Sequence, residues 1–318
     1  MSSMGDIVLT TPVMRCLKTQ LDCEIHFVVK KAFKTVVDNN SYIDQLHVYD
    51  DNLNELIKNW KQQKFDWIID LHNNLRSFLI KKRLWNVPSK SFYKANIAKW
   101  KMEKLKQLKP ISHIVNRYMD TVAHLGVKND GKGLDHFINK DDKVDLAQLF
   151  PTLKQPFIAY AIGGTYATKR MPPHKIRQLC EKINQPLVLL GGPGDKAVAE
   201  QAAQNLPNIF HACGNLSVNQ SVSVMQQSAC VIAHDTGLMH IAAALKKPTV
   251  SIWGCTHPFM GMTPYMDKSL FSIIEVDGLN CRPCSKLGYA KCPKQHFNCM
   301  EKIDLGNIVE QVKSLMIN

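Results

Sequence analysis

No apolar run in this 318-residue chain approaches the ~20 residues that a membrane-spanning helix needs, and its first residues do not read as positive, then apolar, then small. Those absences imply a cytoplasmic protein, unless it is held at a membrane surface. Internal repeats and low-complexity tracts are also missing. With 45% hydrophobic and 21% charged residues, the chain has the composition of a soluble globular protein, long enough for two domains with cores of their own.

Acid is scarce where base is dense. Residues 76–109 hold eleven of the 40 Lys and Arg, beginning with Arg76, Lys81, Lys82 and Arg83, against the single acid Glu103, so much of the net charge of +13 sits there. A solvated lysine-rich helix face is one reading. With Phe78, Trp85, Phe92, Tyr93 and Trp100 interleaved, the segment also suits anionic headgroups or phosphorylated sugars, and we expect it to dock an anionic acceptor.

Six of the ten cysteines stand in apolar context and read as small core residues in reduced form. The other four, Cys281, Cys284, Cys292 and Cys299, begin with a C-x2-C pair. With His296 as a spare ligand they could bind zinc, but the second pair has the wrong spacing for a ribbon, and a thiol cluster tying down a loop fits as well.

In the second half, strands and helices alternate. Apolar runs at 157–164, 186–192, 209–214, 229–235 and 249–254 predict strands, with helices over 172–183, 195–205, 217–228 and 237–245 between them. Such spacing predicts a parallel, doubly wound sheet. The first half repeats the pattern more weakly, with candidate strands at 24–29, 45–50 and 65–72. A charged, proline-punctuated stretch at 139–156 suggests a hinge near residue 150, hence domains 1–150 and 151–318 with a ligand cleft between them.

Three strand ends in the second half are followed by phosphate-friendly loops: "GGTYATKR" after residue 162, "GGPGD" after 190, and "DTGLMH" after 234. Gly237 would leave the first N–H groups of a helix open to an anion, and His240, one turn on, could reach the same ligand. Asp235 would repel phosphate, so it fits better on sugar hydroxyls or turn amides. The plainer alternative makes Asp235 a helix cap and His240 a core histidine.

Two rival motifs fail. "GPGDKA" (192–197) matches a dinucleotide loop, but no acid follows between Glu200 and Asp235 to hold a ribose; "GVKNDGKG" (126–133) resembles a P-loop, but Gly133 stands where magnesium needs Ser or Thr. No paired-carboxylate metal motif lies near the glycine loops, and neither a cofactor nor a metal is expected. Nucleic acid is not an expected partner, since it leaves the three phosphate loops without purpose.

The stretches "SSMGDIVLTTPVMRCLK", "GGTYATKRMPP", "LLGGPGD", "DTGLMHIAAALKKPTVSIWG" and "CRPC" together resemble the family-9 glycosyltransferases, the lipopolysaccharide heptosyltransferases. The resemblance implies an α/β GT-B fold of two Rossmann-like domains facing a cleft, the first binding acceptor and the second nucleotide sugar. It also implies metal-independent inverting transfer from an ADP-activated heptose to the inner core of lipopolysaccharide, beside the inner membrane's cytoplasmic face. Carried onto this sequence, the pattern makes Asp6 the general base and puts Gly164, Thr165 and Lys169 on the donor phosphates. Thr236, Gly237, Leu238 and His240 would complete the pyrophosphate site, with Asp235 on the heptose. Leu216 would line the adenine and Asp195 would serve the ribose. The family also begins with a short apolar strand just before the S-S-x-G-D turn, absent here, so the amino-terminal sheet is expected to lack its central strand.

Overall fold

The computed structural model describes residues 3–50 and 52–317, so Ser2 of the S-S-x-G-D stretch lies outside the described residues. The chain forms two compact units, one of Met1–Asn96 with Ser112–Phe137 and one of Ile97–Ile111 with Ile138–Asn318. The changeover at Phe137 and Ile138 comes just ahead of the charged 139–156 stretch.

The first unit runs α1 (Met4–Leu9), α2 (Thr11–Gln20), β1 (His26–Lys30), β2 (Gln45–Tyr49), α3 (Leu53–Trp60), β3 (Ile68–Asp70), α4 (Leu75–Arg83) and β4 (Ser89–Ser91). Next come α5 (Asn96–Leu105), which belongs to the second unit from Ile97 onward, and α6 (Ile114–Met119), which belongs to the first. β1 pairs in parallel with β2, and β3 with β4. Among the described residues these remain two separate two-stranded sheets. A cavity of about 280 Å³ is lined from both, by Phe27 and Val29 of β1 and Ile69 of β3, with Met14 and Leu17 of α2.

The strand expected over 65–72 shortens to three residues because Asp70 turns the chain. Its Oδ1 accepts the N–H groups of His72 and Asn73, at 3.1 and 2.6 Å, and Asn73 takes a left-handed φ of 47°. The P-loop look-alike has a different task. Arg15, almost fully buried, donates twice to Asp130 at 2.8 Å and once to the Gly133 carbonyl at 2.8 Å, and also pairs with Asp135. Through these bonds, that from Arg15 first, the Asp130 carboxyl is held down at about 2, and the loop becomes a clasp on α2.

The second unit continues with α7 (Leu146–Leu149), β5 (Ile158–Ala161), α8 (Pro173–Lys182), β6 (Leu187–Leu190), α9 (Lys196–Ala203), β7 (Ile209–His211) and α10 (Val218–Gln227). Then follow β8 (Cys230–His234), α11 (Gly237–Ala244), β9 (Thr249–Trp253), β10 (Phe271–Glu275), α12 (Asn298–Glu301) and α13 (Leu305–Ile317). All six strands are parallel, in the order β10-β9-β8-β5-β6-β7. β5, β6, β8 and β9 are buried throughout, and their alternate residues feed two core layers. Ile158, Tyr160, Leu187 and Leu189 face one layer, while Ala159, Ala161, Val188 and Leu190 face the other. Every strand and helix expected from 157 to 254 is present, within about three residues at each end. β10 was not foreseen.

Candidate functional site

Strand order reverses at β5, which pairs with β6 on one side and β8 on the other. At such a switch point the loops leaving the carboxyl ends splay apart and leave room for a ligand. The three glycine-rich loops leave β5, β6 and β8, so the sheet brings together what the sequence spaces over 70 residues.

The loops nest closely. A Cβ on Gly163 would sit 2.6 Å from Asp195 Oδ2, and one on Gly164 would sit 2.9 Å from Thr236 Cγ2. Any side chain at these two positions would push Asp195 or Thr236 aside, so glycine lets the β5 loop approach both neighbours. Charges are paired across the same seams. Lys169 Nζ lies 2.6 Å from Asp235 Oδ2, which also accepts the Thr256 hydroxyl at 2.7 Å. Arg170 donates to Asp195 Oδ1 at 3.1 Å, and Asp195 Oδ2 accepts the Gly192 N–H at 2.9 Å. Asp235 therefore does not stand as a bare anion among phosphate-friendly groups. It pairs with Lys169 and aims its ammonium, which accounts for a carboxylate in this turn.

Thr236, not Asp235, is the N-cap of α11, and its side chain makes no cap hydrogen bond. Its Oγ1 is buried without a hydrogen-bond partner among the described residues. A donor in that position, beside the first N–H groups of α11 and the positive end of the helix dipole, suits an anionic oxygen. Gly237 and Leu238 are half-buried in the first turn, and Thr165 is exposed. His240 is buried one turn further in, at 2% exposure.

His234, next to Asp235, has a structural task. Its Nε2 accepts the Met171 N–H at 3.1 Å and lies 3.3 Å from the Tyr160 hydroxyl. Burial, aided by nearby Arg170, pushes the imidazole down to about 3, so it stays neutral and ties the end of the β5 loop to β8.

The long segment between β10 and α12 braces the site from behind. Buried Arg282 donates to the carbonyls of Gly254 (2.6 Å), Thr256 (2.9 Å) and Val276 (3.0 Å) and to Glu275 Oε2 (2.7 Å). It thereby fixes the turn that offers Thr256 to Asp235. Thr168 is clasped by Tyr289, whose N–H donates to its Oγ1 at 2.8 Å and whose carbonyl accepts its N–H at 3.2 Å. Cys255 Sγ lies 3.1 Å from the same hydroxyl. All ten cysteines are free, and in this segment Cys284 donates to the Cys281 carbonyl at 3.0 Å. Among the described residues no group of three or more His, Cys, Asp or Glu is placed to hold a metal ion.

Leu216, at the end of the β7 loop, packs against the core layer that includes Ala159 and Val188. That loop touches the β6 loop, since Gly214 N–H donates to the Gly191 carbonyl at 3.1 Å. In the first unit, Asp6 sits in the first turn of α1, where Ser3 caps the helix and donates to Asp6 Oδ2 at 2.8 Å. Of the four basic residues expected on an acceptor face, Lys81 turns inward. Its Nζ lies 2.8 Å from buried Asp70 and donates to Ser91 at 2.5 Å. Burial pushes the Asp70 carboxyl up, but hydrogen bonds from Lys81, Asn73, Ser77 and His72 outweigh it and hold the group below its ordinary value. Arg83 donates to Asn54, Arg76 lies over the Tyr49 ring at 5.7 Å, and Lys82 is exposed. Charge counting could not see this, because Lys81 and Asp70 meet only once α4 folds onto β3.

Arg170, Thr256 and Arg282 escaped the sequence reading. Arg170 directly follows Lys169 and could have been found as a second cation in the loop. Thr256 carries no local signal, since it reaches Asp235 only because β9 lies beside β8.

A doubly wound parallel sheet with glycine-rich, cation-bearing loops at its switch point puts the second unit in the Rossmann-like α/β class. More narrowly, the chain belongs to glycosyltransferase family 9 (heptosyltransferase), whose sequence pattern matches residues 53–290. It is 28% identical over 145 residues to lipooligosaccharide heptosyltransferase 2 of Haemophilus influenzae, a match spanning 42% of each chain. With lipopolysaccharide heptosyltransferase 1 of Campylobacter coli it shares 24% identity over 289 residues, 80% of this chain and 82% of that one. The solved ADP-heptose lipopolysaccharide heptosyltransferase II of Escherichia coli superposes with a TM-score of 0.71 at 16% identity, covering 100% of this chain and 97% of the other. At that identity the likeness is one of fold, and the fold class is GT-B.

Proposed function

We propose that the protein transfers a heptose from ADP-heptose to the inner core of lipopolysaccharide, by an inverting displacement that uses no metal ion. The observation that carries this reading is the buried, unpartnered Thr236 hydroxyl at the α11 N-terminus, beside the Lys169–Asp235 pair. Oxygens of a diphosphate would accept from Thr236, from the N–H groups of Gly237 and Leu238, and from Gly164 and Thr165 on the neighbouring loop. Lys169 would neutralise the ADP as it leaves, and Asp235 would turn a free lone pair to the heptose hydroxyls. Asp195 would meet the ribose and Leu216 the adenine, with His240 backing the pyrophosphate turn. The names of the relatives support a heptosyl group and a lipopolysaccharide or lipooligosaccharide acceptor, and the Escherichia coli enzyme of the same fold is named for ADP-heptose.

In the chemical step, a hydroxyl oxygen of the acceptor attacks the anomeric carbon as the bond to the ADP oxygen breaks. Asp6 takes the hydroxyl proton, and configuration inverts because attack comes opposite the leaving group. Fixed N–H dipoles and a lysine can stabilise the departing diphosphate in the role a metal ion otherwise plays. Arg76, Lys82 and Arg83, with Lys81 behind them, would attract the phosphorylated acceptor at the inner face of the inner membrane.

ADP is expected to raise Tm by roughly 5 °C at saturating concentration with a chelator present. Lys169→Ala and His240→Ala should each reduce that shift. A shift seen only with added magnesium would contradict the metal-free part of the reading.

A further inference from the structure

Helix α4 has an outward stripe that its own fold leaves bare. Leu75 is 74% exposed, Phe78 is 57% exposed, and Trp85, two residues past the helix end, is 84% exposed. Leu75, Phe78 and Lys82 follow one another at i, i+3 and i+7, hence on one face. The other face is engaged, as Ile80 and Leu84 pack with Ile57 and Trp60, and Lys81 meets Asp70.

Tryptophan is among the residues a folded surface rarely leaves uncovered, so three large apolar side chains left bare within eleven residues call for an occupant. Charge says which kind. From Leu71 to Asn96 the sequence has six Lys or Arg and no Asp or Glu. Its one buried pairing uses Asp70, just outside that stretch, so every charge that the stretch itself leaves exposed is a cation. Apolar and aromatic side chains flanked by bases are what seats a short helix in the headgroup layer of an anionic bilayer, with the rings at the boundary and the bases on lipid phosphates. A protein partner that only neutralised charge would not need Leu75, Phe78 and Trp85 bare.

We infer that Leu75, Phe78 and Trp85 form a wedge that inserts into the surface of a bilayer containing anionic phospholipid, with Lys82 and its basic neighbours as electrostatic collar. The inference stands on the exposed stripe and does not need the transfer reading, since a bilayer without donor or acceptor suffices to engage it.

The test is co-sedimentation of the full chain with phosphatidylcholine vesicles, with and without phosphatidylglycerol. Wild type should bind the anionic vesicles, and part of that binding should survive high salt because the wedge is apolar. The triple variant Leu75→Ser/Phe78→Ser/Trp85→Ser should bind at least about tenfold more weakly at every salt concentration. Lys82→Glu should lose affinity chiefly at low salt. An unchanged Tm and ADP shift in the triple variant would verify that it folds. Equal vesicle binding by wild type and the triple variant would overturn the proposal, as would equal wild-type binding to neutral and anionic vesicles. Loss of self-association in the triple variant with vesicle binding intact would instead assign the stripe to a second copy of the chain.

Discussion

Asp6→Asn is expected to lower the transfer rate by ~10²–10⁴-fold while leaving ADP affinity within about twofold of wild type. Asparagine keeps the shape of the α1 turn and can still accept from Ser3, which now donates to Asp6 Oδ2 at 2.8 Å. What it cannot do is take a proton. A fall in kcat with KM for the donor unchanged marks a group that acts only in the transition state. Because Asp6 lies in the first unit and the glycine loops in the second, ADP titration by thermal shift separates the two effects. Transfer by the variant at near wild-type rate would remove Asp6 from the mechanism.

The second large effect is on stability. Arg282 is buried and serves three carbonyls and one carboxylate, so Arg282→Leu strands Glu275 and removes four charge-assisted hydrogen bonds at once. Breaking a buried pair from one side costs about 3–5 kcal/mol. At about 2–4 °C per kcal/mol for a unit of this size, Tm should fall by roughly 6–20 °C. Arg282→Lys should recover only part, since an ammonium cannot reproduce the planar fork. The double variant Arg282→Leu/Glu275→Leu should regain part of the loss, because no charge is left unpaired. ADP affinity should drop with Arg282→Leu, as Thr256 no longer holds Asp235 in place. A Tm within about a degree of wild type would show that the fork is not what fixes this turn.

How much of this could be read from the chain depends on how local the signal is. The second unit was legible because its inner strands are buried on both faces, so "IAYA", "LVLL" and "CVIAH" stand out as short apolar runs between helices. The glycine loops were legible for the same reason, each directly following such a run. β4, "SKS", carries no apolar residue and is a strand only because β3 lies beside it. Side-chain pairing was the least legible level. Lys169 with Asp235, Lys81 with Asp70 and Arg15 with Asp130 each join positions far apart in sequence, and no composition or period announces them. The resemblance named Asp235 and Lys169 as separate contacts to the ligand; their ion pair makes one the aim of the other.

Heptose transfer can be measured in one reaction. The purified full chain is mixed with ADP-heptose and a heptose-deficient lipopolysaccharide core, with chelator present, and the core is weighed by mass spectrometry. The core is expected to gain one heptose with release of one ADP, and to show inverted configuration at the new bond by NMR. An unchanged core mass beside a working heptosyltransferase control, or transfer only from a different nucleotide sugar, would contradict it.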